Sequence, residues 1–441
     1  MEPATQAMSR LSDQQINTPA KIRIQTIDLL RGIIMVIMAL DHARDYFHRT
    51  ALTDDPLNLQ TTTTLLYFTR WITHFCAPAF VFLSGVSAWL QRGRKPTSAL
   101  SRFLITRGLW LVFVDVVVVT FVTTADIHFG YFVIQTLWAI GISMFILGWM
   151  IRLPFYAILT TGLVIVLGHN ALDFAEQYYK GNVPFWWHLL HMQGGFNLGG
   201  GHYLFVFYPF LPWAGLMMLG YCCDKIFTSY PEQQRNKILF RLGCALLLFF
   251  ALLRFSNLYG DPVHWSVQKN AWFSFLSFLN VHKYPPSLLY MCVTIGPGFI
   301  FLSLVKNTSS RLAAIFIVYG RVPMFYYIVH FYLLSGINVV CFLARGHSLA
   351  EGMKGIPGEP WKFVLPGEGY SLAVVCAIWL VVVVSLYPLC KWYDTYKTNH
   401  KEKWWLSYLQ IIFYKVKKIK HDQTVFISRN ALYNCTVFGG L

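Results

Sequence analysis

Asp41, His42, Arg44 and Asp45 lie together in "MALDHARDYF" (38–47), directly after the apolar run "IIMVIMAL" (33–40). Helical spacing puts residues three or four apart on one face, so His42 faces Asp45 and Asp41 faces Arg44. An imidazole titrates near neutrality, and a carboxylate beside it fixes its orientation and tautomer. The chemistry this pattern suits is proton transfer, with His42 as general base and Asp45 or Asp41 as its orienter. A second histidine, His74 in "RWITHFCAPAFVF", joins the candidate site. Ionisable groups next to hydrocarbon are expensive, so a chain that keeps four of them there has a use for them.

The elements that position them are membrane helices. Of the 441 residues, 56% are hydrophobic, 17% aromatic and only 13% charged. Long apolar stretches recur along the whole chain, which excludes a soluble globular enzyme and predicts an all-α, polytopic helix bundle. Ten apolar segments fall near 32–47, 72–91, 104–123, 131–150, 154–170, 203–222, 239–257, 286–305, 320–344 and 371–390. The first 20 residues are polar, with no cleavable leader expected, so the first apolar segment acts as its own insertion signal. Lys and Arg concentrate in the short loops of one side and in the C-terminal tail. That asymmetry predicts cytoplasmic N- and C-termini. The net charge of +16 therefore orients the protein and meets anionic lipid, and is no sign of a nucleic-acid partner. The nine cysteines lie mostly in apolar runs without ligand spacing, so neither a metal site nor a disulfide framework is expected.

Three regions follow: a cytoplasmic tail at 1–21, a membrane domain at 22–396 and a basic cytoplasmic tail at 397–441. The stretch "QIIFYKVKKIK" in the last reads as an amphipathic segment on the membrane face. "GGFNLGGG" (194–201) reads as a flexible outer loop. Arg31 starts the first span at the inner face, and His42 lies about 16 Å further along it, near or beyond the middle of the bilayer toward the outer side. His74, at the outer end of the second span, then shares an outer-half pocket with His42. Other polar groups within spans are Asp115, Gln135, Arg321 and His330. Asp115, alone in "LVFVDVVVV", calls for a cation from another helix or a proton. The loop "RGRKPTSALSRFLITR" (92–107) is first of all a topology determinant.

The runs "RIQTIDLLRGIIMVIMALDHARDYF" and "FTRWITHFCAPAFVFLSGVSAWL" resemble bacterial proteins with the heparan-alpha-glucosaminide N-acetyltransferase catalytic domain, part of a wider group of transmembrane acyltransferases. "YPFLPWAGLMMLGY", "HKYPPSLLYMCVTIGPG", "RVPMFYYIVHFYL" and "PLCKWYDTYK" follow in the same order, so the resemblance covers residues 22–409. It implies a ten-helix plasma-membrane acyltransferase. Acetyl-CoA would be used from the cytoplasmic side and its acyl group passed to an amine or hydroxyl acceptor at the outer side. His42 would be the catalytic base, with Asp41, Asp45 and His74 around it. Arg92, Arg94, Arg102 and Arg107 would meet the phosphates of the donor, and Arg321 is a further anion contact. The chain departs from the lysosomal enzyme in having a short polar segment before its first span, so the expected acceptor is a glycan-like sugar of the cell envelope and not heparan. Direct transfer and an acyl-histidine route both remain open, as does a homo-oligomer. The competing reading is a proton-coupled transporter or flippase, with Asp41, His42 and His74 as its relay.

Overall fold

A computed structural model describes residues 25–406, apart from 52, 94, 224, 225, 228, 307, 357–359, 404 and 405. Arg94, the N-terminal tail and the basic stretch "QIIFYKVKKIK" lie outside the described residues. The chain is mostly helical, as the apolar segments require. In order come α1 (Gln25–Phe47), α2 (Thr64–Trp71), a 3-10 turn (Ile72–Phe75), α3 (Cys76–Arg92) and α4 (Thr97–Phe113). A π-helical turn (Val114–Val119) leads to α5 (Thr120–Thr124), β1 (Tyr131–Ile134), α6 (Thr136–Met150) and α7 (Phe155–Gly168). Next are α8 (Ala171–Tyr178), α9 (Phe185–Leu190), β2 (Gly194–Gly199), β3 (His202–Val206) and α10 (Leu211–Cys222). The chain continues through α11 (Glu232–Ser256), α12 (Ala271–Leu279) and α13 (Leu288–Leu304). It ends in α14 (Arg311–Arg321), α15 (Pro323–Ala344), α16 (Leu349–Lys354) and α17 (Leu372–Asn399).

Each of the ten apolar segments contains a helix. Among the described residues, five helical stretches are long and apolar enough to cross a membrane: Thr64–Arg92, Thr97–Thr124, Glu232–Ser256, Pro323–Ala344 and Leu372–Asn399. A sixth arises if α7 and α8, bent by 45°, form one span. The remaining apolar helices α6, α10 and α13 are shorter, and α1 is interrupted by charge at both ends.

The all-α expectation fails at one place. β1, β3 and β2 form a three-stranded sheet in that order, with β1 parallel and β2 antiparallel to β3. The "GGFNLGGG" stretch is therefore strand β2 and a turn, not a flexible loop. Gly199, Gly200 and Gly201 all have positive φ, which lets the chain reverse within three residues. The parallel partner of β3 is some 70 residues away in sequence (Tyr131 opposite Tyr203), a pairing that no local pattern announces.

The core packs around α1, most of whose residues are buried. It crosses α14 at Gly32 and Gly320, where an added Cβ would run into the backbone carbonyls of Phe316 and Asp28 respectively. Only glycine allows that approach. It holds the Arg31 end of α1 firmly: Arg31 donates to the Leu83 carbonyl (3.0 Å) and the Ser87 hydroxyl (2.6 Å) of α3.

Candidate active site

The far end of α1 gathers the ionisable groups. Asp41 is buried, and its carboxylate gathers three cations from three elements. Arg44 donates to it at 2.5 Å, Arg70 of α2 at 2.7 and 2.9 Å, and the Lys283 ammonium stands 3.8 Å away. The expected Asp41–Arg44 pair is thus present, one helical turn apart. Asp45 does not turn toward His42; it accepts from Arg44 at 2.8 Å. The five groups carry one more positive than negative charge, and most of that excess sits away from water. Such a cluster favours a nearby anion or a developing negative charge.

His42 is held from a different helix. Its Nδ1 lies 2.7 Å from Nε2 of His330 on α15, and the two rings stack at 5.0 Å. Phe331 packs against the same imidazole at 4.2 Å. The other nitrogen of His330, Nδ1, faces the Tyr326 carbonyl at 3.0 Å. A carbonyl only accepts, so His330 Nδ1 carries the hydrogen and its Nε2 is the acceptor. His42 must then donate through Nδ1–H. What remains is an unprotonated Nε2 on a partly exposed ring, with no hydrogen-bond partner among the described residues. His330, by contrast, is wholly buried. One imidazole is fully buried between two partners, and the other keeps one ring nitrogen open.

His74 lies in the 3-10 turn beside this cluster. It is buried, its ring edge-on to Tyr290 at 5.3 Å, and neither ring nitrogen has a partner among the described residues. Tyr290 donates to the His74 carbonyl at 2.8 Å. No direct contact joins His74 to His42 among the described residues. Alongside, α1, α3 and α13 enclose an apolar pocket of about 300 Å³, lined by Ile34, Ile37, Phe75, Phe82, Ile295 and Phe299 among others. It suits hydrocarbon and offers no acid–base group.

Among the described residues no lysine or arginine pairs with Asp115. It accepts from the Gln135 backbone N–H at 2.6 Å, at the start of α6. A carboxylate there complements the helix dipole and the unpaired amides of the first turn. The π-helical turn around Asp115 carries it to that position.

The basic residues proposed for the donor gather near the Arg31 end of the bundle, but not in one patch. Arg92 donates to the Tyr221 hydroxyl at 3.2 Å and lies over the Trp89 ring at 4.9 Å. Arg107 is fully buried, within electrostatic reach of Tyr393. Arg102 is exposed. Arg321 pairs with Asp394 at 3.4 Å, and Lys397 donates to its carbonyl at 2.6 Å. Along α1, Arg31 and His42 are about 16 Å apart.

Sequence reasoning named His330 only as a polar residue in a span and gave Arg70 and Lys283 no role. The latter two flank apolar runs inside "FTRWITHF" and "HKYPP", a position that marks a cation at a helix end but not its partner. The His42–His330 contact joins residues 288 apart. The family profile described as heparan-alpha-glucosaminide N-acetyltransferase, catalytic, matches residues 23–255, just over half of the chain. That span holds Asp41, His42, Arg70 and His74, while Lys283 and His330 lie beyond it. No curated protein matches the chain.

Proposed function

The chain belongs to the heparan-alpha-glucosaminide N-acetyltransferase catalytic family, a family of membrane acetyltransferases, and on that premise we propose a specific reaction for it. Acetyl-CoA from the cytoplasm donates an acetyl group to an amine or hydroxyl of an envelope sugar presented at the outer face. Ten spans carry the reaction through the plasma membrane, with both termini cytoplasmic, and the partners are the bilayer, the donor and a glycan-like acceptor. The observation that carries this reading is the free Nε2 of His42, tautomerically fixed by His330 and placed beside a cluster with surplus positive charge.

His42 Nε2 takes the proton of the acceptor as its nitrogen or oxygen attacks the thioester carbonyl. Arg70, Arg44 and Lys283, gathered by Asp41, stabilise the oxyanion that forms. When the carbon–sulfur bond breaks, the imidazolium returns the proton to the thiolate, so free coenzyme A leaves and His42 is regenerated. His330 keeps the ring aligned throughout by accepting from Nδ1–H. In this reading Nε2 acts as a base and not as a nucleophile, so no acyl-histidine forms. Arg92, Arg102, Arg107 and Arg321, together with Arg94, supply the counter-charge for the phosphates of the donor. The pantetheine arm bridges the interval along α1.

The test uses detergent-purified protein, acetyl-labelled acetyl-CoA and a pool of amino- and hydroxyl-bearing envelope sugars. Label should move to a sugar with release of coenzyme A, and His42→Ala should lower the rate by about a hundred- to ten-thousand-fold. Unchanged transfer by His42→Ala refutes the role of His42. A folded parent that neither binds nor consumes acetyl-CoA refutes the donor.

A further inference from the structure

A second cluster of ionisable groups lies at the bend between α7 and α8, outside the acyl-transfer machinery. Asp173 and Glu176 stand one helical turn apart on α8, and His191 follows the last turn of α9. One donor atom from each of the three lies within 4.8 Å of the other two. Glu176 accepts from His191 Nδ1 at 2.8 Å and from the Trp187 indole at 2.7 Å. Asp173 accepts from Asn170 at 2.7 Å, which is itself fixed by accepting from the Leu288 N–H at the start of α13.

Two features separate this cluster from a set of solvated acids. Neither carboxylate has a lysine or arginine partner among the described residues. Two carboxylates so close repel each other unless a proton or a cation sits between them. A fourth group backs the cluster: His169 is 3% exposed, and its Nδ1 lies 3.2 Å from His191 Nε2, on the side of that ring away from Glu176. The other nitrogen of His169 is buried and has no partner among the described residues. The two imidazoles in series let His191 change tautomer: when Nδ1 gives up its hydrogen to bind an ion, Nε2–H donates to His169 instead. Ligating histidines characteristically have a group of this kind on the second nitrogen.

We propose that Asp173, Glu176 and His191 bind a divalent transition-metal ion of the zinc class, with His169 as the group that orients His191. One nitrogen and two carboxylate oxygens are a familiar donor set for such an ion, and they leave a coordination position for water. The ion ties α8 to α9, and so fixes the bent α7–α8 element against the segment that runs into β2. The sequence expectation of no metal rested on cysteine spacing; this site uses histidine and carboxylate.

The experiment uses the untagged full chain in detergent, stripped with a chelator, re-equilibrated with zinc chloride and desalted. Elemental analysis should find about one zinc per chain, and Asp173→Asn and Glu176→Gln should each weaken binding by about 10- to 100-fold. His264→Gln, outside the cluster, should bind as the parent does. A parent that retains no zinc, or carboxylate variants that bind as tightly as the parent, overturns the proposal. If a variant fails to fold, cobalt(II) added to the parent decides. An intense visible d–d band supports a low-coordinate nitrogen–oxygen site, and a weak octahedral spectrum overturns it.

Discussion

Replacing His330 by phenylalanine keeps a ring of similar size in the slot between Tyr326 and His42 but removes the acceptor for His42 Nδ1–H. The contact is a 2.7 Å hydrogen bond to a fully buried partner, so the variant strands a donor in an apolar setting. A buried donor left unsatisfied costs about 1–3 kcal/mol. If all of that cost falls on the reactive orientation, it corresponds to a loss of about 5- to 150-fold in kcat. His330→Gln restores an acceptor through its amide oxygen and should recover part of the loss. The assay is release of coenzyme A at saturating acetyl-CoA, with kcat and the KM for acetyl-CoA determined separately. His330 acts only through His42, so kcat should fall while KM stays within about twofold, and adding His330→Phe to His42→Ala should cost little more. An unchanged kcat in His330→Phe, or an effect confined to KM, would refute the tautomer argument. So would additive losses in the double variant.

Asp41→Asn leaves Arg70, Lys283 and Arg44 without their shared carboxylate and should destabilise the fold by about 3–5 kcal/mol, as breaking a buried ion pair does. Asp45, whose side chain is 36% exposed, should cost under about 1 kcal/mol when changed to Asn. Equal shifts of the two variants in denaturant or thermal unfolding would contradict the geometry. In the loop before β1, burial opposes ionisation of Asp126, but the backbone N–H groups of His128 and Gly130 outweigh it and hold the carboxyl below its ordinary value. Its contribution to stability is present above the ordinary carboxylate value and disappears as pH falls through the depressed one. Asp126→Asn should therefore flatten the acid limb of a stability–pH curve, and an unaltered limb would count against this assignment.

Composition alone decided that this chain lives in a membrane, because its apolar runs admit no soluble fold and hydrocarbon admits few backbone arrangements. Helical spacing was enough to pair Asp41 with Arg44, since both partners sit on one element and i,i+3 geometry is intrinsic to it. The same rule misdirected Asp45 toward His42: two groups compete for Asp45, and the nearer guanidinium took it. No spacing rule reaches from α1 to α15, so the His42–His330 contact came only from packing, where Phe331 closes around the ring. The sheet belongs to the same class, its parallel pair formed by segments that are remote in sequence. Asp115 shows the mixture most clearly. Its polarity in a valine run announced a buried partner, but that the partner is the amide end of α6 depended on a π-helical turn and on where another helix begins. Sequence determined which side chains must be satisfied, because burial in hydrocarbon is a local property. Tertiary structure alone decided what satisfies them, because partners are distributed over the whole bundle.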